Sequence, residues 1–178
     1  MSYLIRPIVS SDEFFLWEML YQAIYVPPGI EPPGRDILRR PEIERYLRGW
    51  GRTHDFGLVA VDATTSMRIG AAWWRLLTGG EKGYGHIDDE TPELTVAVVP
   101  KRRQGVGTQL LGQLIDVAQH RCLSLSLSVS SANPGRAALP AAGIRNCRDL
   151  RNVACHEVGG ACEVHSGRES RLSSRFSV

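Results

Sequence analysis

The sequence predicts an α/β (α+β) fold, a single globular domain in which short strands and amphipathic helices are interleaved. Three observations predict it. The elements run strand, helix, helix, three strands, helix, strand. The stretch Glu93 to Leu114 passes from an apolar β-branched run, Leu94 to Val99, through Pro100, Lys101, Arg102 and Arg103 into a helix opened by Gly105 and Gly107. Leu123 to Val129 alternates apolar residues with Ser, the pattern of a strand with one apolar face. At 178 residues and 43% hydrophobic, the chain is long enough for one domain with a real core and too short for two comfortable ones.

Tyr3 to Ile5 is a short strand ended at Pro7. Ser10-Ser11-Asp12-Glu13 has the capping-box pattern, and the helix it starts has Phe15, Leu16, Met19, Leu20, Ala23 and Ile24 on one inward face. Pro27-Pro28-Gly29 and Pro32-Pro33-Gly34 make the following segment irregular, either a wall of a substrate pocket or a plain connection. Pro41 suits the first turn of a second helix, whose stripe of Ile43, Tyr46, Leu47 and Trp50 runs to Gly51. Phe56 to Val61 and Arg68 to Leu77, joined by the polar turn Asp62 to Ser66, form a hairpin. Trp73 and Trp74 fall on opposite faces of its second strand, one facing the core and the other either core or the floor of a cleft. Thr78 to Glu90 is loose and glycine-rich, and its closing Asp88-Asp89-Glu90 is either a solvated loop or an attractor for a cationic acceptor. In the third helix Val106, Leu110, Leu111, Leu114, Ile115 and Ala118 line one side.

The start of that third helix is the most informative feature. Free backbone N–H groups at a helix N-terminus, unobstructed at the glycines, form a site for an anion such as a pyrophosphate. Two familiar phosphate loops do not fit. The nucleotide P-loop needs four residues between its glycines and a Lys-Ser/Thr after the second, whereas this chain has Gly105-Val106-Gly107-Thr108. The dinucleotide fingerprint wants a third Gly where Leu110 stands and an acidic residue where Ser130 stands. What remains, Arg102-Arg103-Gln104-Gly105-Val106-Gly107, resembles the Arg/Gln-x-x-Gly-x-Gly/Ala signature of the GCN5-related N-acetyltransferases, the GNAT superfamily.

That resemblance covers about the first three quarters of the chain and implies a mixed, mostly antiparallel central sheet flanked by helices. It implies that the fourth and fifth strands splay apart and that acetyl-CoA lies in the gap as cosubstrate. Val96, Ala97 and Val98 would run along its pantetheine. Arg102, Arg103, Gln104, Gly105, Val106, Gly107 and Thr108 would hold its pyrophosphate, an Arg side chain adding charge-assisted hydrogen bonds. Asn133, after the fifth strand, matches a further cofactor-contacting position. The activity implied is transfer of an acetyl group to a primary amine of a small molecule or protein, with a non-catalytic acyl-CoA sensor as the alternative. Glu93, at the head of the fourth strand, stands where several relatives carry a catalytic Glu; a solvated strand-end acid is the alternative.

Residues 1–134 thus read as an acetyltransferase domain and 135–178 as an atypical tail. The resemblance calls for a helix carrying a Tyr, a Leu-Gly-Phe turn and two final strands after Asn133-Pro134. The chain instead gives Gly135 to Arg145 and then a polar, Arg-rich run with neither helical nor strand period, which fits nothing in the fold. Loss of one G within a permitted codon choice at Gly135 would read Pro-Ala-Val-Arg-Leu-Tyr-Gln-Arg-Leu-Gly-Phe, the expected helix and turn. The tail is therefore expected to be an out-of-frame translation and poorly ordered.

Other functions are disfavoured. A net charge of +2 does not argue for nucleic acid as a partner, and the tail's arginines lack interleaved aromatics. No apolar run approaches a membrane span and the N-terminus lacks a signal-peptide core, so a cytoplasmic protein without membrane partner is expected. Cys147, Cys155, His156, Cys162 and His165 lack the paired Cys spacing of structural zinc sites, so no metal is expected. The acceptor's identity and a homodimer are left open.

Overall fold

The computed structural model describes residues 2–100, 105–121, 124–130, 132–139, 154–158 and 161–165. Four strands, β1 (Tyr3–Pro7), β2 (Phe56–Asp62), β3 (Arg68–Arg75) and β4 (Glu93–Val98), form an antiparallel sheet in sequence order. Helix α1 (Glu13–Ala23), the single-turn helix α2 (Pro41–Glu44) and helix α3 (Val106–His120) surround it. A second sheet has the order β5 (Leu127–Ser130), β7 (Ala161–His165), β6 (Ala154–Val158), all antiparallel.

The sheet is buried on both faces because β3 is apolar on both. Ala72 and Trp74 pack with Leu110, Leu111 and Leu114 of α3. Ala71 and Trp73 pack with Leu16 and Met19 of α1 and with Leu47. Both tryptophans are core, at 0% and 1% exposure, and neither floors a cleft. Their indole N–H groups find buried partners: Trp73 donates to the Tyr46 carbonyl at 3.2 Å and Trp74 to that of His54 at 3.0 Å. Leu110 and Leu114 are fully buried, as the periodicity of α3 requires.

Two local expectations are corrected. The capping box at Ser10 to Glu13 does not form. Asp12 instead accepts the Val9 N–H at 2.9 Å while clamped by Arg6 and Arg68, and a 3-10 turn over Ser10–Asp12 leads into α1. The second helix stops at Glu44 rather than Gly51. Its continuation is held as turns because the carbonyls of Arg45, Arg48 and Gly49 accept from the buried Arg75 guanidinium, at 2.9–3.0 Å. The remaining Arg75 donors grip Asp55 in a two-point pair at 3.0 and 2.6 Å, so all five guanidinium N–H groups are engaged.

In the tail, β7 pairs with β5, and β6 pairs with β7. In sequence, β6 and β7 are separated by Gly159 and Gly160, a two-residue hairpin signal that lacks the apolar alternation of a half-buried strand. A 3-10 turn spans Pro134–Ala138; for the residues of 135–178 beyond this turn and the two strands, the expectation of poor order lies outside the described residues. Among the described residues no helix is long and apolar enough to cross a membrane.

Candidate active site: a cleft between diverging strands

Strand β4 meets the residue just before β5 at a bridge. Glu93 and Ser126 form a single parallel bridge, with the Leu94 N–H donating to the Ser126 carbonyl at 2.7 Å and the Ser126 N–H to the Pro92 carbonyl at 2.9 Å. Beyond it a cleft of about 820 Å³ is lined by both strands, from Leu94 to Val98 and from Leu127 to Ser130. Backbone N–H groups alternate sides along a strand. Since Leu94 donates toward β5 and Val99 donates to Ile69 of β3, the N–H groups of Val96 and Val98 point into the gap.

Gly105, Gly107 and Thr108 line one end of this cleft. The first intrahelical bond of α3 runs from the Gln109 N–H to the Gly105 carbonyl. Val106, Gly107 and Thr108 therefore present N–H groups with no intrahelical acceptor, at the positive end of the helix. Gly105 has φ of +80°, a left-handed conformation that turns the chain into the helix and strains any other residue. The Val106 side chain is 1% exposed and belongs to the core, so of the expected cofactor residues it can contribute only its N–H. Asn133 also lines the cleft, its side-chain oxygen accepting the Gly135 N–H at 2.9 Å. Arg102, Arg103 and Gln104 lie outside the described residues.

Glu93 marks the other end. It is 4% exposed, not a solvated strand-end acid. Its Oε1 accepts from the Tyr46 hydroxyl at 2.8 Å and from the Gly85 N–H at 2.9 Å, and the same hydroxyl accepts the Tyr84 N–H at 2.8 Å. Burial, and then the negative charge of Glu93, push the Tyr46 phenol far above its ordinary value, so it stays a neutral donor. The loop over Glu93 comes this close because it has no side chains there. A Cβ on Gly83 would stand 2.0 Å from Glu93 Oε2 and 2.6 Å from the Tyr46 hydroxyl; one on Gly85 would stand 3.0 Å from Glu93 Oε1 and 3.2 Å from the Ser128 nitrogen.

No family model matches the chain, and no curated protein matches it in sequence. Solved structures do. An N-acetyltransferase from Staphylococcus aureus Mu50 aligns over 93% of this chain and 97% of its own, with 18% identity and a TM-score of 0.59. A ribosomal-protein-alanine N-acetyltransferase from Brucella melitensis aligns over 91% and 98%, with 20% identity and a TM-score of 0.57. The structure of yncA from Salmonella typhimurium with its cofactor acetyl-CoA aligns over 100% of both chains, with 18% identity and a TM-score of 0.56. The chain has the GNAT acetyltransferase fold. The alignments reach past residue 134, consistent with β7 pairing on β5 and β6 on β7.

Within the GNAT fold, the cleft brings together Glu93, Val96, Ala97, Val98, Gly105, Gly107, Thr108 and Asn133, residues spread over 41 positions of sequence as numbered. Tyr46, Tyr84 and the two close-approach glycines were not legible as site residues. Tyr46 reads in sequence as one member of an apolar stripe, and its hydroxyl gains meaning only when β4 arrives beside it. The Gly83 and Gly85 spacing was a visible signal, but of looseness rather than of close approach. Of the irregular segment from Pro27 to Gly34, Pro27 lines the cleft, beside Ile24 and Tyr25. Asp88 to Glu90 does not line it; Asp88 accepts the Glu90 and Thr91 N–H groups of its own turn at 3.0 and 2.7 Å.

Proposed function

We propose that the protein is an N-acetyltransferase that moves an acetyl group from acetyl-CoA to a primary amine. The observation that carries this reading is one cleft with the α3 N-terminus at one end and buried Glu93 at the other. The fit to acetyl-CoA rests on this chain's own atoms. Three N–H groups at a glycine-flanked helix start suit a pyrophosphate. The strand-edge N–H groups of Val96 and Val98 suit an extended amide-bearing chain, in the manner of an added strand.

In the reaction the amine nitrogen bonds to the thioester carbonyl carbon and the C–S bond breaks, releasing coenzyme A. The proton leaving the amine is taken by a base, and one proton is delivered to the departing sulfur. A lysine-like amine is protonated at neutral pH, and removing its proton costs about 4–5 kcal/mol at pH 7. Glu93 is the group we assign to draw that proton, directly or through one water, with Tyr46 and the Gly85 N–H fixing the carboxylate. A strand-edge N–H from Val98 supplies a dipole for the carbonyl oxygen. The test is acetyl-CoA binding and turnover over a panel of amines. Gly107→Val is expected to weaken acetyl-CoA binding at least tenfold by obstructing the helix start. Tight binding with no amine acetylated by any panel member would overturn the enzymatic reading.

That last outcome is what the second reading predicts. A non-catalytic acyl-CoA sensor is favoured by one observation, the absence from residues 134–145 of the Tyr that the GNAT resemblance calls for as general acid.

A further inference from the structure

The Glu93 end of the cleft has a distinctive chemistry. Among the described residues lining the cleft, Glu93 is the single carboxylate, and no Asp, Lys or Arg joins it. The lining outside the two strands and the α3 start includes Ile24, Tyr25, Pro27, Ile37, Ile43 and Tyr84, mostly apolar, with Gln22 as an amide among them. Ile43 and Tyr46 are neighbours on one turn, with the Tyr46 N–H donating to the Ile43 carbonyl at 3.2 Å, so the apolar wall and the Glu93 partner share a support. Tyr84 is 59% exposed, although its backbone N–H is tied to the Tyr46 hydroxyl. An aromatic side chain is thus held at the cleft by its main chain while its ring faces outward. The loop's other acids add no second anion to the cleft: Asp89, with a side chain 64% exposed, lies 3.5 Å from His86 and 3.9 Å from Lys82.

One carboxylate in an apolar wall attracts one cation. A second ammonium on the same molecule would lose water in that wall with no second carboxylate among the described lining residues to replace it. An apolar or aromatic body, in contrast, would gain by leaving water and by stacking on tyrosine. Building on the acetyl-transfer reading of this cleft, we propose that the acceptor is a monoamine with an apolar, preferably aromatic, body, and not a polyamine. The amine nitrogen reaches toward Glu93, and the body lies against Tyr25, Tyr84 and the isoleucines.

Three separate titrations of the purified full chain test this: coenzyme A alone, phenylethylamine, and spermidine, the amines with and without saturating coenzyme A. Phenylethylamine is expected to bind at least about tenfold more tightly than spermidine. Tyr84→Ala and Tyr25→Ala are each expected to weaken phenylethylamine about three- to tenfold and to leave coenzyme A affinity and the circular dichroism spectrum unchanged. Spermidine binding as tight as phenylethylamine, or indifference of phenylethylamine to both Tyr substitutions, overturns the proposal. Absence of coenzyme A binding sinks the transfer reading and the proposal with it, whereas coenzyme A binding joined to a spermidine preference sinks the amine class alone.

Discussion

The Tyr46 hydroxyl donates to Glu93 Oε1 at 2.8 Å, joining the turn after α2 to the head of β4 across 47 positions of sequence. The same oxygen accepts the Tyr84 N–H, so one phenol holds the carboxylate and the loop above it. If Glu93 draws the amine proton, Glu93→Gln lowers kcat about 100-fold or more, with acetyl-CoA affinity retained. Tyr46→Phe leaves the carboxylate with the Gly85 N–H and the Tyr84 N–H without its acceptor. It is expected to lower kcat by about tenfold. Steady-state kinetics with any accepted amine, beside acetyl-CoA titration, checks both.

Close approach at Gly83 gives a second prediction. Gly83→Ala must displace Glu93 or the loop, because its Cβ would fall 2.0 Å from Glu93 Oε2. Gly80→Ala, three residues earlier, meets nothing within 4 Å. Turnover is expected to fall at least about tenfold in the first variant and to stay within twofold of the original in the second. Equal effects would show that the loop does not set the carboxylate.

Asp12 predicts an acid limit to stability. Its carboxylate accepts from Arg6 at 2.7 and 3.0 Å, from Arg68 at 2.5 Å and from the Val9 N–H at 2.9 Å. The Arg6 hydrogen bonds first, with the Val9 N–H and Arg68, hold it far below the ordinary carboxylate range against the opposing effect of burial. A folded value below the unfolded one, about 4, means that the unfolded chain binds more protons as pH falls. The contribution is therefore whole above about pH 4 to 5 and is lost as pH drops through the folded value. Asp12→Asn is expected to destabilise by about 1–3 kcal/mol at neutral pH, limited because both guanidiniums are partly exposed. In urea unfolding, the gap between variant and original should narrow toward pH 2.

Arg75 and Asp55 behave differently because their side chains are only 1% and 2% exposed. Arg75→Met leaves Asp55 buried without its guanidinium and frees three carbonyls after α2. A loss of about 3–5 kcal/mol is expected, read as a lowered urea midpoint. Arg75→Lys keeps the charge but not the two-point pair, so it should recover a fraction of that loss.

The tail yields the last prediction. If residues from about Gly135 onward are out of frame, sequencing the gene across Asn133 to Arg136 will show an extra G. The chain with the restored frame should turn over amines at least about tenfold faster, since it regains the helix Tyr. An unambiguous in-frame reading, with β6 and β7 protected from hydrogen exchange in the chain as written, would sink the frameshift.

The sequence by itself determined the layered α/β fold, the faces of α1 and α3 and the strand–loop–helix at Glu93 to Leu114. These follow from periodicity, glycine placement and β-branched runs, which act over a few residues. It also pointed to the helix start at Gly105 to Thr108, a local event, whereas Glu93 was singled out through the GNAT resemblance alone. It did not show that the second helix would end after one turn, since that depends on Arg75, about 30 residues further along the chain, taking the carbonyls. Nor did it show that Glu93 is buried under Gly83 and Gly85 and gripped by Tyr46. Those contacts exist only once β4 pairs with β3 and diverges from β5, for a hydrogen bond across 47 positions has no local pattern and is decided by packing alone.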